Sequence, residues 1–158
     1  MNVRAWTVSS LLAAVAMCVA CDGGSTTTGP SPPSFLAGTW TGTLTIEREG
    51  PTTSGSTTWT FEVVPDTNLQ TFRTTIRSQH AWLPISATVT SAITPSNTPP
   101  ARISTQGDYA SPRGCTGSLL SVGTADAARI EADFSGVDCP SLAHSTFRGQ
   151  VVLTKTGS

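Results

Sequence analysis

Across residues 35–47 the chain reads FLAGTWTGTLTIE, and apolar and polar residues alternate. Trp40, Gly42, Leu44 and Ile46 share one side of an extended backbone. Thr39, Thr41, Thr43, Thr45 and Glu47 share the other. A period of two marks a strand with one buried and one wet face. The same pattern returns along the chain. It predicts strands over 38–48, 57–64, 69–78, 82–93, 101–106, 115–122, 128–134 and 146–155. Between them lie Gly50, Pro51, Ser54 and Gly55, then Pro65-Asp66 with Asn68, then TPSNTPP at 94–100, and further Gly, Ser, Asp and Pro clusters. These residues supply turns. Pro84 inside the fourth run points to a sheet edge or a bulge, because proline has no N–H for the ladder.

Eight strands joined mainly by short turns predict an all-β domain, an antiparallel meander that closes into a small β-barrel. Closure removes the exposed edges of the sheet. A two-sheet β-sandwich is the competing arrangement. Trp40, Trp59, Phe61, Phe72, Phe134 and Phe147 fall on inward faces. In an eight-stranded barrel such rings either fill the interior or line room for one small ligand. Trp40, Trp59, Phe61 and Phe72 are therefore the candidate ligand-binding residues. Trp82 is out of phase with Leu83 and is expected on the surface, as a contact residue.

The first 34 residues follow another rule. MNVRAWTVSSLLAAVAMCVA places Arg4 before a largely apolar run. The run is too short and too often interrupted for a spanning helix, which needs about 20 apolar residues, and it fits an export signal. The junction Cys18-Val19-Ala20-Cys21, followed by Asp22, resembles the bacterial lipoprotein signal, in which a small residue precedes a Cys that is lipidated and becomes N-terminal. That resemblance makes 1–20 the signal peptide, Cys21 the acylated residue and 21–34 a lipidated tether. The tether composition is rich in Gly, Ser and Pro and has nothing large to bury. The barrel domain is 35–158.

Charge and motif content narrow the function. Charged residues make up 12% of the chain and the formal charge is -1. Nucleic acid binding needs a dense basic patch, which is missing, so no nucleic-acid partner is expected. His80 and His144 lie outside any nucleophile setting, and neither an H-E-x-x-H motif nor a phosphate loop is present. Glu131 and Asp133 share an outward face and read as solubilising charge. The chain is read as no enzyme, with no cofactor and no metal. Export places Cys115 and Cys139 in an oxidising compartment, where they are expected to form a structural disulfide.

The run Leu36-Ala37-Gly38-Thr39-Trp40 resembles the Gly-x-Trp opening of the lipocalin and avidin-like (calycin) barrels. It is also similar to the opening of small bacterial lipoproteins described only as lipocalin-like or of unknown function. The ending, from Phe147-Arg148-Gly149 to Lys155, suits the last strand of such a barrel. The resemblance implies a basic residue near the end, Arg148 or Lys155, packed on Trp40. A further similarity is to small periplasmic barrel inhibitors of metalloproteases, which also open with Ala-Gly-x-Trp and carry one disulfide. The expected role is that of a lipid-anchored envelope lipoprotein, monomeric and facing the periplasm or the cell surface. Its partners are the membrane, through the anchor, and either a small apolar ligand held in the barrel or an envelope protein. The alternative is a structural or protein-interaction module, protease inhibition included, in which loops such as 94–100 make the contact.

Overall fold

A computed structural model describes residues 34–47, 51–64, 70–94, 100–140 and 145–157. The signal segment, Cys21, the tether up to residue 33, His144 and the centre of the 94–100 loop lie outside the described residues.

A short 3-10 turn, Ser34–Leu36, leads into eight strands: β1 Gly38–Glu47, β2 Thr53–Val63, β3 Thr71–Ser78, β4 Ser86–Thr94, β5 Ala101–Ala110, β6 Thr116–Ala125, β7 Arg129–Val137 and β8 Thr146–Gly157. Each pairs antiparallel with the next, and β8 returns to pair with β1, so the meander is a closed barrel and not a sandwich. The closing seam aligns Gly42 with Leu153 and Leu44 with Val151, with one irregularity between Thr39 and Trp40. Outside, β-branched threonines and scattered charges face solvent, as strand propensity favours. At the β6–β7 turn the Asp126 carboxylate accepts hydrogen bonds from Ala128 N and Arg129 N, both 2.8 Å. These two donors hold its carboxyl below the usual carboxylate range.

The interior is built from unequal halves. The buried tryptophans and phenylalanines of the strands come from β1, β2, β3, β7 and β8: Trp40, Trp59, Phe61, Phe72, Phe134 and Phe147; β5 adds Tyr109 near the far end. Strands β4–β6 offer smaller groups opposite them, among them Ala87, Val89, Ser91, Thr105 and Ser121. Bulk on one wall and small groups on the other let a narrow barrel reach native packing density. Three buried hydroxyls satisfy one another in series. Thr74 Oγ1 and Thr105 Oγ1 each lie 2.6 Å from Ser91 Oγ, so the buried hydroxyls form a chain across β3, β4 and β5.

The two ends differ. The chain enters at one of them, here the entry end, where Leu36 is fully buried and joins the core. The far end carries the β1–β2, β3–β4, β5–β6 and β7–β8 connections. The fourth strand is shorter than its alternation predicts. It starts at Ser86, and residues 79–85 fold over the far end as a cap. Leu83 and Ile85 are buried there, which is why they keep strand-like phase without being in the sheet. Pro84, which cannot donate to a ladder, sits in this cap. In the other direction, β2 and β5 extend beyond their predicted limits, to Thr53 and Ala110.

Candidate binding site

The four aromatic residues singled out as ligand contacts come together, but mainly on one another. Trp40, Trp59, Phe61 and Phe72 are each at most 1% exposed. Phe61 is the hub: its ring lies edge-on to Trp40 at 6.5 Å and to Phe72 at 6.3 Å, and tilted against Trp59 at 6.1 Å. From Trp59 the contacts run on to Phe134 at 6.3 Å, Phe147 at 5.6 Å and Trp82 at 5.5 Å. A continuous column of rings thus passes from the entry end to the far end. Aromatic pairs in such arrangements contribute about 0.5–1.5 kcal/mol each beyond area burial. Two of its indole N–H groups find acceptors beside the column: Trp59 Nε1 donates to Thr57 Oγ1 at 3.1 Å and Trp40 Nε1 donates to the Leu36 carbonyl at 2.9 Å.

At the entry end, Lys155 is the basic residue that meets Trp40. Its Nζ lies 5.7 Å from the Trp40 ring centre and donates to the Phe35 carbonyl at 2.6 Å. Arg148 is exposed instead, with Nε 3.4 Å from Glu47 Oε2. Of the two positions implied by the calycin resemblance, register selects Lys155, which pairs with Trp40 across the β1–β8 seam.

The far end holds a cluster of chemically capable side chains. Asp138, 1% exposed, accepts a hydrogen bond from the Tyr109 hydroxyl at 3.0 Å and pairs with Arg113 Nη1 at 3.2 Å. The Arg113 guanidinium lies over the Trp82 ring at 5.2 Å. Gly117 makes room for Tyr109, since a methyl group at that position would overlap the phenol ring. Cys115 and Cys139 are bridged, with Cα atoms 5.3 Å apart, and tie the β5–β6 connection to the β7–β8 connection. Cys139 takes a φ of 56°, the left-handed region that L-residues rarely adopt. Asp138 lies within 4.8 Å of both sulfurs. The bridge consumes the two thiols as metal ligands, because a metal takes thiolate. A groove of about 190 Å³ opens between the cap and the β5–β6 connection, lined by Trp82, Leu83, Pro84, Pro112, Arg113 and Asp138.

Trp82 is half-buried rather than standing free on the surface, held between Phe147 and Arg113. The backbone that carries it is fixed by His80. The Trp82 amide donates to His80 Nδ1 at 3.1 Å, and His80 Nε2 lies 3.1 Å from the Thr53 carbonyl. An amide only donates and a carbonyl only accepts, so these partners require a lone pair on Nδ1 and the proton on Nε2. His80 is 1% exposed and is a structural post of the cap. Glu131 pairs with Arg129, and both are exposed.

Tyr109 and Asp138 were not evident as a pair, because 29 residues separate them and an Asp beside a Cys and a Pro reads as a turn residue. The available signal was the lone tyrosine on the inward phase of a run that also holds Ile103 and Thr105. Comparison with protein-family models, with curated proteins and with solved structures finds no match.

Proposed function

We propose that the protein is an exported, lipid-anchored envelope protein whose barrel serves as a recognition module, working through its outer surface and far-end loops rather than as a carrier of a ligand inside the barrel. The observation that carries the reading is the aromatic column. Trp40, Trp59, Phe61 and Phe72 spend their faces and edges on one another and on the core, whereas a carrier presents such surfaces to its ligand. The Cys115–Cys139 bridge supports export, since disulfides persist in oxidising compartments. The Cys18-Val19-Ala20-Cys21 junction supports lipidation at Cys21. The closed all-β architecture and the Trp40–Lys155 packing are compatible with a calycin-like barrel. The reading assigns the protein no catalysis, no cofactor, no nucleic-acid partner and a monomeric state.

The anchor is tested by growing bacteria that express the full chain with labelled palmitate. The protein is expected to carry label, to shift in mass by its acyl chains and to fractionate with membranes, and Cys21→Ser is expected to lose all three. Label retained by Cys21→Ser would refute acylation at that residue.

The second reading is a carrier of a small apolar ligand, with Trp40, Trp59, Phe61 and Phe72 as its contacts. It is favoured by their convergence along one axis and requires the column to part.

A further inference from the structure

We infer that the far-end groove receives the C-terminal residue of an extended polypeptide, with an apolar side chain between Trp82 and Pro112 and its free carboxylate on the Arg113 guanidinium. This names a partner class for the recognition module proposed above and rests on that reading.

The receiving charge is held in place before any ligand arrives. Ser111 Oγ accepts the Arg113 amide at 3.2 Å, Ser111 N donates to the Cys115 carbonyl at 2.8 Å, and Gly114 closes the turn at a φ of 80°. The Cys115–Cys139 bridge ties this turn to the segment that carries Asp138. Arg113 meets Asp138 through Nη1 and lies over the Trp82 ring. A guanidinium carries five N–H donors in a planar fork, so one ion pair leaves donors for a second acceptor. The Arg113 side chain is 37% exposed and that of Asp138 only 2%. Asp138 is therefore the fixed inner partner, and the guanidinium is the part that an arriving anion can reach. A carboxylate matches its fork in both geometry and charge.

The space beside Arg113 sets the shape of that anion. Trp82, Leu83, Pro84 and Pro112 give the groove apolar walls around about 190 Å³. A cavity of roughly 150 Å³ holds one benzene ring, so the groove takes one branched or aromatic side chain. An apolar residue that ends in a carboxylate fits both features. The sheet gives the rest of such a chain somewhere to lie. The β4–β5 ladder runs only from Thr94 opposite Arg102 to Thr90 opposite Gln106. Beyond it, residues 86–89 pair with β3 and residues 107–110 pair with β6, and they form no ladder with each other. The groove lies at the mouth of this split, between the residues just before β4 and those just after β5. Strand edges outside a ladder offer N–H and C=O groups to an added backbone, which a free small acid lacks.

The test titrates the full acylated protein, isotope-labelled and held in detergent micelles, and follows its amide resonances. The probes are acetyl-Gly-Gly-Leu, the same peptide with an amidated C-terminus, and acetyl-leucine. The Trp82, Leu83, Arg113 and Gly114 amide signals are expected to move with the free acid, which binds at least about tenfold more tightly than the amide, as loss of a charge-assisted hydrogen bond requires. Acetyl-leucine is expected to bind several-fold more weakly than the tripeptide acid, because it brings no backbone to the strand edges. Arg113→Lys keeps a charge beside Asp138 and loses the fork, and is expected to lose most of the preference for the acid. Equal binding of acid and amide, or no shift with either, overturns the groove and leaves the recognition reading standing. Acetyl-leucine binding as tightly as the tripeptide overturns the polypeptide as occupant. An unchanged preference in Arg113→Lys overturns Arg113 as the carboxylate receptor. Shifts confined to the core around Phe61 overturn the groove and the recognition reading together, since the ligand then sits inside the barrel.

Discussion

The Lys155 ammonium donates to the Phe35 carbonyl across 120 residues of sequence while resting 5.7 Å from the Trp40 ring centre. One side chain on β8 thereby holds the turn that precedes β1 and covers the ring at the foot of the aromatic column. A charge-assisted hydrogen bond contributes about 1.5–3 kcal/mol, and a cation over an indole about 0.5–1 kcal/mol. Lys155→Met keeps the aliphatic stem and loses both interactions. It is expected to lower unfolding stability by about 2 kcal/mol in urea titration. Arg148→Met, which breaks an ion pair with exposed Glu47, is expected to change it by less than about 1 kcal/mol.

The Cys115–Cys139 bridge closes a loop of 24 residues. The chain-entropy account assigns such a loop about 3–4 kcal/mol. The Cys115→Ser, Cys139→Ser variant is therefore expected to unfold at lower denaturant by that amount. The same change is expected when the native protein is reduced. Equal stability with and without the bridge would mean that the far-end loops hold themselves.

Tyr109 is the single tyrosine of the chain, so its ionisation is read directly by ultraviolet absorbance. Burial, and then the hydrogen bond to the Asp138 carboxylate and its charge, raise the phenol pKa; the Arg113 charge opposes them more weakly. A folded-state pKa raised above the unfolded value gives stability that is complete below the unfolded value, about 10, and declines as pH rises further. The expected result is no phenolate signal near pH 10 while the protein is folded, with ionisation and unfolding arriving together at higher pH. In Tyr109→Phe the decline of stability above pH 10 is expected to be shallower. Ordinary titration of Tyr109 in the folded protein would contradict the Asp138 contact.

Gly136 lies on the inward face of β7, opposite Phe147. A methyl group there would overlap both the Phe147 ring and the Ser118 carbonyl oxygen. Gly136→Ala is expected to cost about 1–3 kcal/mol by overpacking and to perturb the near-ultraviolet signal of Trp82, which packs on Phe147. Unchanged stability would show slack in the column at that level.

Much of this architecture was legible in the alternation of residues. Period two placed Trp40, Trp59, Phe61, Phe72, Phe134 and Phe147 inward, and the meander and its closure followed from the number of strands and the shortness of the turns. What alternation cannot carry is hydrogen-bond partnership. Leu83, Ile85 and Ala87 keep one phase, yet only Ala87 is in a strand, because the first two are buried from above the sheet. The inward position of Tyr109 extends β5 beyond Gly107 through pairing with β6, a long-range fact absent from local composition. Asp138 became part of a site only when β5 and the β7–β8 connection met at the far end. Trp82 has the phase of a surface residue, and the cap turns it onto Phe147.

The most direct test of the account is a native mass spectrum of the full acylated protein released gently from membranes. The account predicts the mass of the mature chain from Cys21 plus its covalent acyl groups and nothing more, because the rings of the barrel interior are packed on one another. A reproducible noncovalent adduct of a small molecule, lost on denaturation and lost also in a variant that fills the axis near Phe61, such as Thr74→Leu, would contradict it and return the barrel to the carrier reading.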